Sequence, residues 1–142
     1  MDYVTYQIGE SIYKQLPSTV DRDLTLAPQA IRLYRTVLKE FPQSALVQKA
    51  RERIQEVTNK MADKELYIAD FYFRTENFKS ALVRYEKFLA DYPSHPKGPT
   101  AMLKAGQSAD KSDNPAKKSS LLRALVEKFP ESNEAQQAKK EL

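Results

Sequence analysis

The sequence predicts an all-α fold built as a solenoid of stacked helix pairs, and three observations carry that prediction. Three amphipathic segments each close on an aromatic–proline pair: residues 30–42 ending in Phe41-Pro42, residues 81–93 ending in Tyr92-Pro93, and residues 121–130 ending in Phe129-Pro130. Proline pushes the residue before it out of the α region, so each helix stops there. Beyond the prolines come serines (Ser44, Ser94, Ser132) and then, at one common offset, Ala50, Ala101 and Ala138. Each turn is therefore expected to lead into another helix, opened near a serine cap and packed closely through an alanine. Finally, no stretch shows the period-2 alternation of a strand.

The elements follow in order. A first helix covers about residues 3–15 and stops at Leu16-Pro17; residues 17–25, with Asp21-Arg22-Asp23, form a loop. The second helix carries Ala30 to Phe41. From Ser44 to Arg74 there is neither Pro nor Gly, and Val47, Ala50, Ile54, Val57 and Met61 form one helical stripe. The run Asp63-Lys64-Glu65 interrupts that stripe before Ile68, Phe71 and Tyr72 resume it. This reads as one elongated helix over about 44–74, with any kink falling near Asp63. Asn77 is the expected cap of the next helix, and Asn114-Pro115 pairs a cap with proline at the first helical position. The units expected are about 1–42, 44–93 and 96–130, closed by a C-terminal helix over 132–142 that serves as a cap or as a docking place.

Composition removes several functions. The 142 residues include no Cys, no Trp, three Gly and one His. There is thus no thiol nucleophile, thiolate metal site or multi-histidine site, and His95 reads as a turn residue. Gly9, Gly98 and Gly106 lie too far apart for a glycine-rich phosphate loop. No nucleophile–base pair is visible, so neither an enzyme nor a cofactor is expected. The net charge of +4 is spread along the chain, which gives no basic arm for nucleic acid. No apolar run approaches the roughly 18 residues of a spanning helix. Residues 1–6 have neither the basic nor the apolar part of a signal peptide, so the sequence as it stands reads as cytoplasmic, or as part of a longer exported precursor.

Ala69, Tyr72, Ala81, Tyr85 and Pro93 fall at the small, aromatic and proline positions of the tetratricopeptide repeat. Gly106 and Ala109 fit the next repeat, although Lys118 stands where a small residue is usual. A more specific likeness covers about residues 1–95. Its features are Tyr3-Val4-Thr5-Tyr6-Gln7-Ile8-Gly9, the Val20-Asp21-Arg22-Asp23 loop, the segment from Ala30 to Phe41-Pro42-Gln43-Ser44, Ala50-Arg51-Glu52-Arg53, and Glu65-Leu66-Tyr67-Ile68-Ala69-Asp70-Phe71-Tyr72. Together they resemble the BamD family (also YfiO or ComL), outer-membrane lipoproteins of the β-barrel assembly (Bam) complex. The precursors of that family carry a signal peptide, a lipobox Cys and earlier repeats, so the resemblance is to the middle and C-terminal repeats alone. It implies a non-catalytic adaptor on the periplasmic face of the outer membrane. The implied partner is the POTRA region of BamA, with other Bam lipoproteins or unfolded outer-membrane proteins in addition. The last third of the chain is equally similar to periplasmic Tol–Pal coordinators of the CpoB type, which stand as the alternative.

Candidate contact residues follow. In the repeat register Asp63, Leu66, Asp70 and Phe73 face the concave groove, while Leu66 and Phe73 read equally as core. Asp21, Arg22 and Asp23 form either a partner contact or an internal ion-pair clasp. The resemblance maps an arginine that meets an acidic group of BamA's POTRA domain onto Arg84, in Ala81-Leu82-Val83-Arg84-Tyr85-Glu86; the plain alternative ties Arg84 to Glu86 or Asp91. Lys117 and Lys118 sit in a first helical turn, where the dipole disfavours cations, and mark either an anionic partner or a solvated face.

Overall fold

The computed structural model describes residues 1–18 and 23–142. Among them are seven helices: α1 (Asp2–Gln15), α2 (Ala27–Glu40), α3 (Val47–Arg74), α4 (Phe78–Asp91), α5 (Gly98–Lys111), α6 (Pro115–Lys128) and α7 (Asn133–Glu141). The chain divides into two compact units, Met1–Lys64 and Glu65–Leu142, and the division falls inside the charged run that interrupts the apolar stripe of α3.

The three aromatic–proline stops share one conformation. Phe41, Tyr92 and Phe129 have φ/ψ of −129/57, −132/61 and −131/56, and each N–H still bonds back into its helix. The turns that follow differ from the sequence expectation. Only Ser132 caps a helix, accepting from the Ala135 N–H at 3.0 Å. The two earlier connections insert a further turn, so their helices open at Val47 and Gly98, later than expected. Within that turn Ser44 Oγ accepts from the Leu46 N–H at 3.1 Å, and His95 Nδ1 accepts from the Lys97 N–H at 3.0 Å. Imidazole thus takes the acceptor role of the serine hydroxyl, and Ser94 caps nothing.

In the first unit α1 and α2 lie side by side. Pro28 opens α2, and α1 ends as Leu16 turns extended ahead of Pro17. Tyr6, Ile12, Ala30, Tyr34, Val37 and Ala50 form one core cluster; Ala27, Ile31 and Val57 form a second. Gly9 allows a close approach of α1 to α2, since a Cβ there would stand 3.0 Å from the Tyr34 ring, tighter than ordinary contact. Into this apolar setting the fold places Glu10, which is 8% exposed.

In the second unit α4 packs on α5, α5 on α6, and α6 and α5 both touch α7. Two helix connections are alike. Glu76 and Asp113 adopt positive φ (61° and 63°), and the next residue, Asn77 or Asn114, caps the following helix. Met102, Leu103, Leu122, Leu125, Ala135 and Ala138 fill the core, and a Cβ on Gly106 would meet Leu122 Cδ2 at 2.7 Å. Lys117 and Lys118 are paired internally in their unfavourable first turn, with Glu86 at 3.0 Å and Asp110 at 3.3 Å.

Glu10 decides how the first unit responds to acid. Burial raises its pKa, but hydrogen bonds from Arg53 and Tyr34, together with the Arg53 charge, outweigh burial and hold it below the ordinary 4.5. The Tyr13 hydroxyl lowers Glu56 likewise. A depressed carboxylate stabilises the fold above its unfolded pKa, and that stabilisation disappears as pH falls through the folded value. Chemical denaturation followed by hydrogen exchange of α1 and α2 amides should show stability declining from about pH 4.5 downward. Tyr34→Phe should cost about 2 kcal/mol at neutral pH, because it removes a donor from a buried charge.

Candidate functional site

One polar arrangement is built twice from residues at matching repeat positions. At the same offset before Pro42, Pro93 and Pro130 stand Tyr34, Tyr85 and Leu122; at the same offset beyond them stand Arg53, Lys104 and Glu141. In the first unit the fully buried Tyr34 donates to Glu10 of α1 at 2.6 Å. Arg53 of α3 closes on that carboxylate with Nε at 2.8 Å and a second nitrogen at 3.2 Å. The same guanidinium lies 4.2 Å from the centre of the Tyr13 ring and bonds Glu56 at 3.0 Å, and the Tyr13 hydroxyl donates to Glu56 at 2.5 Å. In the second unit the fully buried Tyr85 donates to Asp70 of α3 at 2.5 Å, Lys104 of α5 reaches Asp70 at 3.2 Å, and its ammonium stands 5.6 Å from the Phe73 ring. Burial, and the carboxylate that each faces, push both tyrosine hydroxyls upward in pKa. At the third set of positions Gln107, Leu122 and Glu141 replace acid, phenol and cation.

A second charge cluster, of different character, joins α3 to α4. Glu65 faces Arg84 at 3.6 Å and Lys87 at 3.6 Å, distances of Coulombic pairing beyond hydrogen-bond reach. Glu65 is mostly buried, and its Oε2 has neither solvent contact nor a hydrogen-bond partner. Both cations reach the surface, with side-chain exposures of 37% for Arg84 and 53% for Lys87. The trio carries one net positive charge. On the same helix Val83 is 65% exposed, whereas Glu86 is committed to Lys117. Elsewhere in this unit α5 and α7 enclose a groove of about 350 Å³ lined by Thr100, Leu103, Lys104, Gln107, Asn133, Glu134 and Gln137. No helix among the described residues is long and apolar enough to cross a membrane.

The family of outer membrane lipoproteins called YfiO matches residues 1–112. The chain belongs to the YfiO family. The tetratricopeptide repeat matches separately, over residues 100–132. A curated relative, the outer membrane protein assembly factor BamD of Vibrio cholerae serotype O1, is 30% identical over 73 residues, which is 51% of this chain and 30% of that protein. The chain spans about 30% of the length of the curated relative it matches. Membership of the YfiO family favours the assembly-lipoprotein reading over the Tol–Pal one.

Within this YfiO-family chain the sequence-predicted residues fall in three places. Arg84 is tied to Glu65, in place of the Glu86 or Asp91 expected of a solvated side chain. Asp70 and Phe73 belong to the Tyr85–Lys104 arrangement, where Phe73 stacks edge-on with Tyr85 and Phe78; Leu66 is buried. Asp23 is exposed and closes its own turn, accepting from the Thr25 N–H at 3.1 Å and the Thr25 hydroxyl at 3.0 Å, while Asp21 and Arg22 lie outside the described residues. Sequence reasoning missed Glu10, Tyr34, Arg53, Lys104, Glu65 and Lys87. For Tyr34, Arg53 and Lys104 the signal was present, because aligning the chain on its aromatic–proline pairs superimposes Tyr34 on Tyr85 and Arg53 on Lys104; Glu10 lies 24 residues before its tyrosine and Asp70 15 before its own, so the acid escapes that alignment. Nothing in the spacing links Glu65 to Arg84 and Lys87, since that contact depends on how α3 and α4 are rotated.

The two clusters of the second unit should respond differently to neutralisation. Asp70→Asn should cost about 1–2 kcal/mol in urea unfolding, as it weakens a buried phenol's hydrogen bond and unpairs Lys104. Glu65→Gln, which gives up no hydrogen bond, should stay within about 0.5 kcal/mol of the parent.

Proposed function

We propose that this chain is a non-catalytic adaptor of the outer-membrane β-barrel assembly complex, acting on the periplasmic face of the outer membrane and holding the POTRA region of BamA through α4. Family membership and the assembly-factor relative support the setting. One observation carries the interface: Arg84 is surface-reaching, sits in a cluster with surplus positive charge, and among the described residues makes no hydrogen bond that docking would have to break. Its planar fork suits a carboxylate contacted through two oxygens. The exposed Val83 beside it supplies an apolar contact. In this reading Leu66, Asp70 and Phe73 hold the α3–α4 scaffold, and Asp21, Arg22 and Asp23 offer a secondary contact on their loop. Other Bam lipoproteins and unfolded outer-membrane proteins are further partners that family membership suggests. The adaptor acts by shape and charge alone, with no chemistry of its own.

Calorimetric titration of the chain with the POTRA region of BamA from the same organism tests the proposal. Binding on the order of micromolar or tighter is expected. Arg84→Glu should weaken it at least about tenfold, as reversal of an interfacial charge does. A helical, folded chain that shows no binding would contradict the adaptor reading. Full affinity in Arg84→Glu would move the interface off α4.

A further inference from the structure

We propose that Arg84 and Lys87 together form one carboxylate-binding site, and that Glu65 is the internal acid occupying it until an acidic protein surface docks. This rests on the adaptor reading and names a second binding residue and a competing one within the same interface.

The geometry points to it in three ways. Arg84 and Lys87 lie one turn apart on α4 and converge on the two oxygens of a single carboxylate, Arg84 on Oε2 and Lys87 on Oε1. Two cations already placed around one carboxylate make a preformed site for another, since their mutual repulsion is offset by an acid the fold supplies. Next, the internal occupant is held loosely. Both separations are 3.6 Å, and the Oε2 that faces Arg84 is shut off from water yet accepts no hydrogen bond. A carboxylate oxygen in that state is under-satisfied, so cations that turn outward give up attraction but no hydrogen bond. The contrast with Asp70 is direct, because that carboxylate binds both Tyr85 and Lys104 within hydrogen-bond distance and leaves no cation to spare. Lastly, the charge balance selects the partner. Within the trio one acid against two cations leaves one positive charge; Glu86, the neighbour of Lys87, is bound to Lys117 at 3.0 Å, and the exposed Asp91 stands one turn beyond Lys87. An acidic protein surface meets an unbalanced charge here, and a basic one is repelled.

The test is a titration series with the POTRA region of BamA at two salt concentrations, using the parent chain, Lys87→Ala, Glu65→Gln and Arg84→Glu, each checked for helicity by circular dichroism. Lys87→Ala should weaken binding by about fivefold to tenfold. Glu65→Gln should tighten it several-fold and steepen its salt dependence, because removal of the internal competitor leaves two cations for the partner. Parent affinity in Lys87→Ala, with Arg84→Glu still impaired, would leave the adaptor interface standing and overturn the two-cation site. Unchanged or weaker binding by Glu65→Gln would overturn the role given to Glu65. Parent affinity in both Lys87→Ala and Arg84→Glu would remove the α4 interface altogether.

Discussion

A carboxylate taken out of water must be given donors, and in each compact unit of this chain the same set of neighbours supplies them. Glu10 and Asp70 each receive a hydrogen bond from a fully buried tyrosine on the second helix of their pair and a cation from the helix that follows. Three successive helices are thereby tied to one charge. Around the buried Glu10, breaking a link strands the others in a low-dielectric setting, where an unpaired charge costs more than a paired one contributes; Asp70 keeps 30% of its side chain in solvent and loses less. Close approach depends on the residue just before each acid: Gly9 leaves room for the Tyr34 ring, and Ala69 occupies the equivalent place before Asp70. The apolar clusters supply most of the burial, while the polar links fix how the helices are rotated and spaced.

The third set of positions shows what happens without the arrangement. Leu122 replaces the tyrosine and packs directly against Gly106, Gln107 stands in for the acid, and Glu141 for the cation. Apolar contact among Met102, Leu103, Leu122 and Leu125 then holds α5, α6 and the short α7 together. The polar links that remain among these helices are of another kind, Lys118 with Asp110 at 3.3 Å and the Thr100 hydroxyl donating to Glu134 at 3.0 Å.

Helix type and order were legible in the sequence because proline and capping residues act locally. Phe41-Pro42, Tyr92-Pro93 and Phe129-Pro130 stop helices, and Asn77 and Asn114 start them, whatever surrounds them. Of the serines after the prolines, Ser132 caps its helix as expected, while Ser44 misleads because it spends its hydroxyl on the inserted turn and on Asp2. The polar links were half legible. Their tyrosines and cations recur at fixed offsets, but the acids do not, and which tyrosine meets which acid depends on helix rotation. The Glu65 cluster was not legible for the same reason. Distances also separate two kinds of charge that the sequence leaves alike: Lys104 is bound within hydrogen-bond reach, while Arg84 and Lys87 are held beyond it. The first kind builds the scaffold, and the second is the kind proposed above to meet a partner.

The most direct test of that account is a double-mutant cycle on Glu10 and Arg53, comparing the unfolding free energies of Glu10→Gln, Arg53→Met, the double variant and the parent. If the buried carboxylate and its cation act as one unit, the double variant loses less than the two single losses combined, with a coupling of about 1–3 kcal/mol. Losses that add to within about 0.5 kcal/mol would mean that the two groups act independently, and would contradict the central role given to the buried acid.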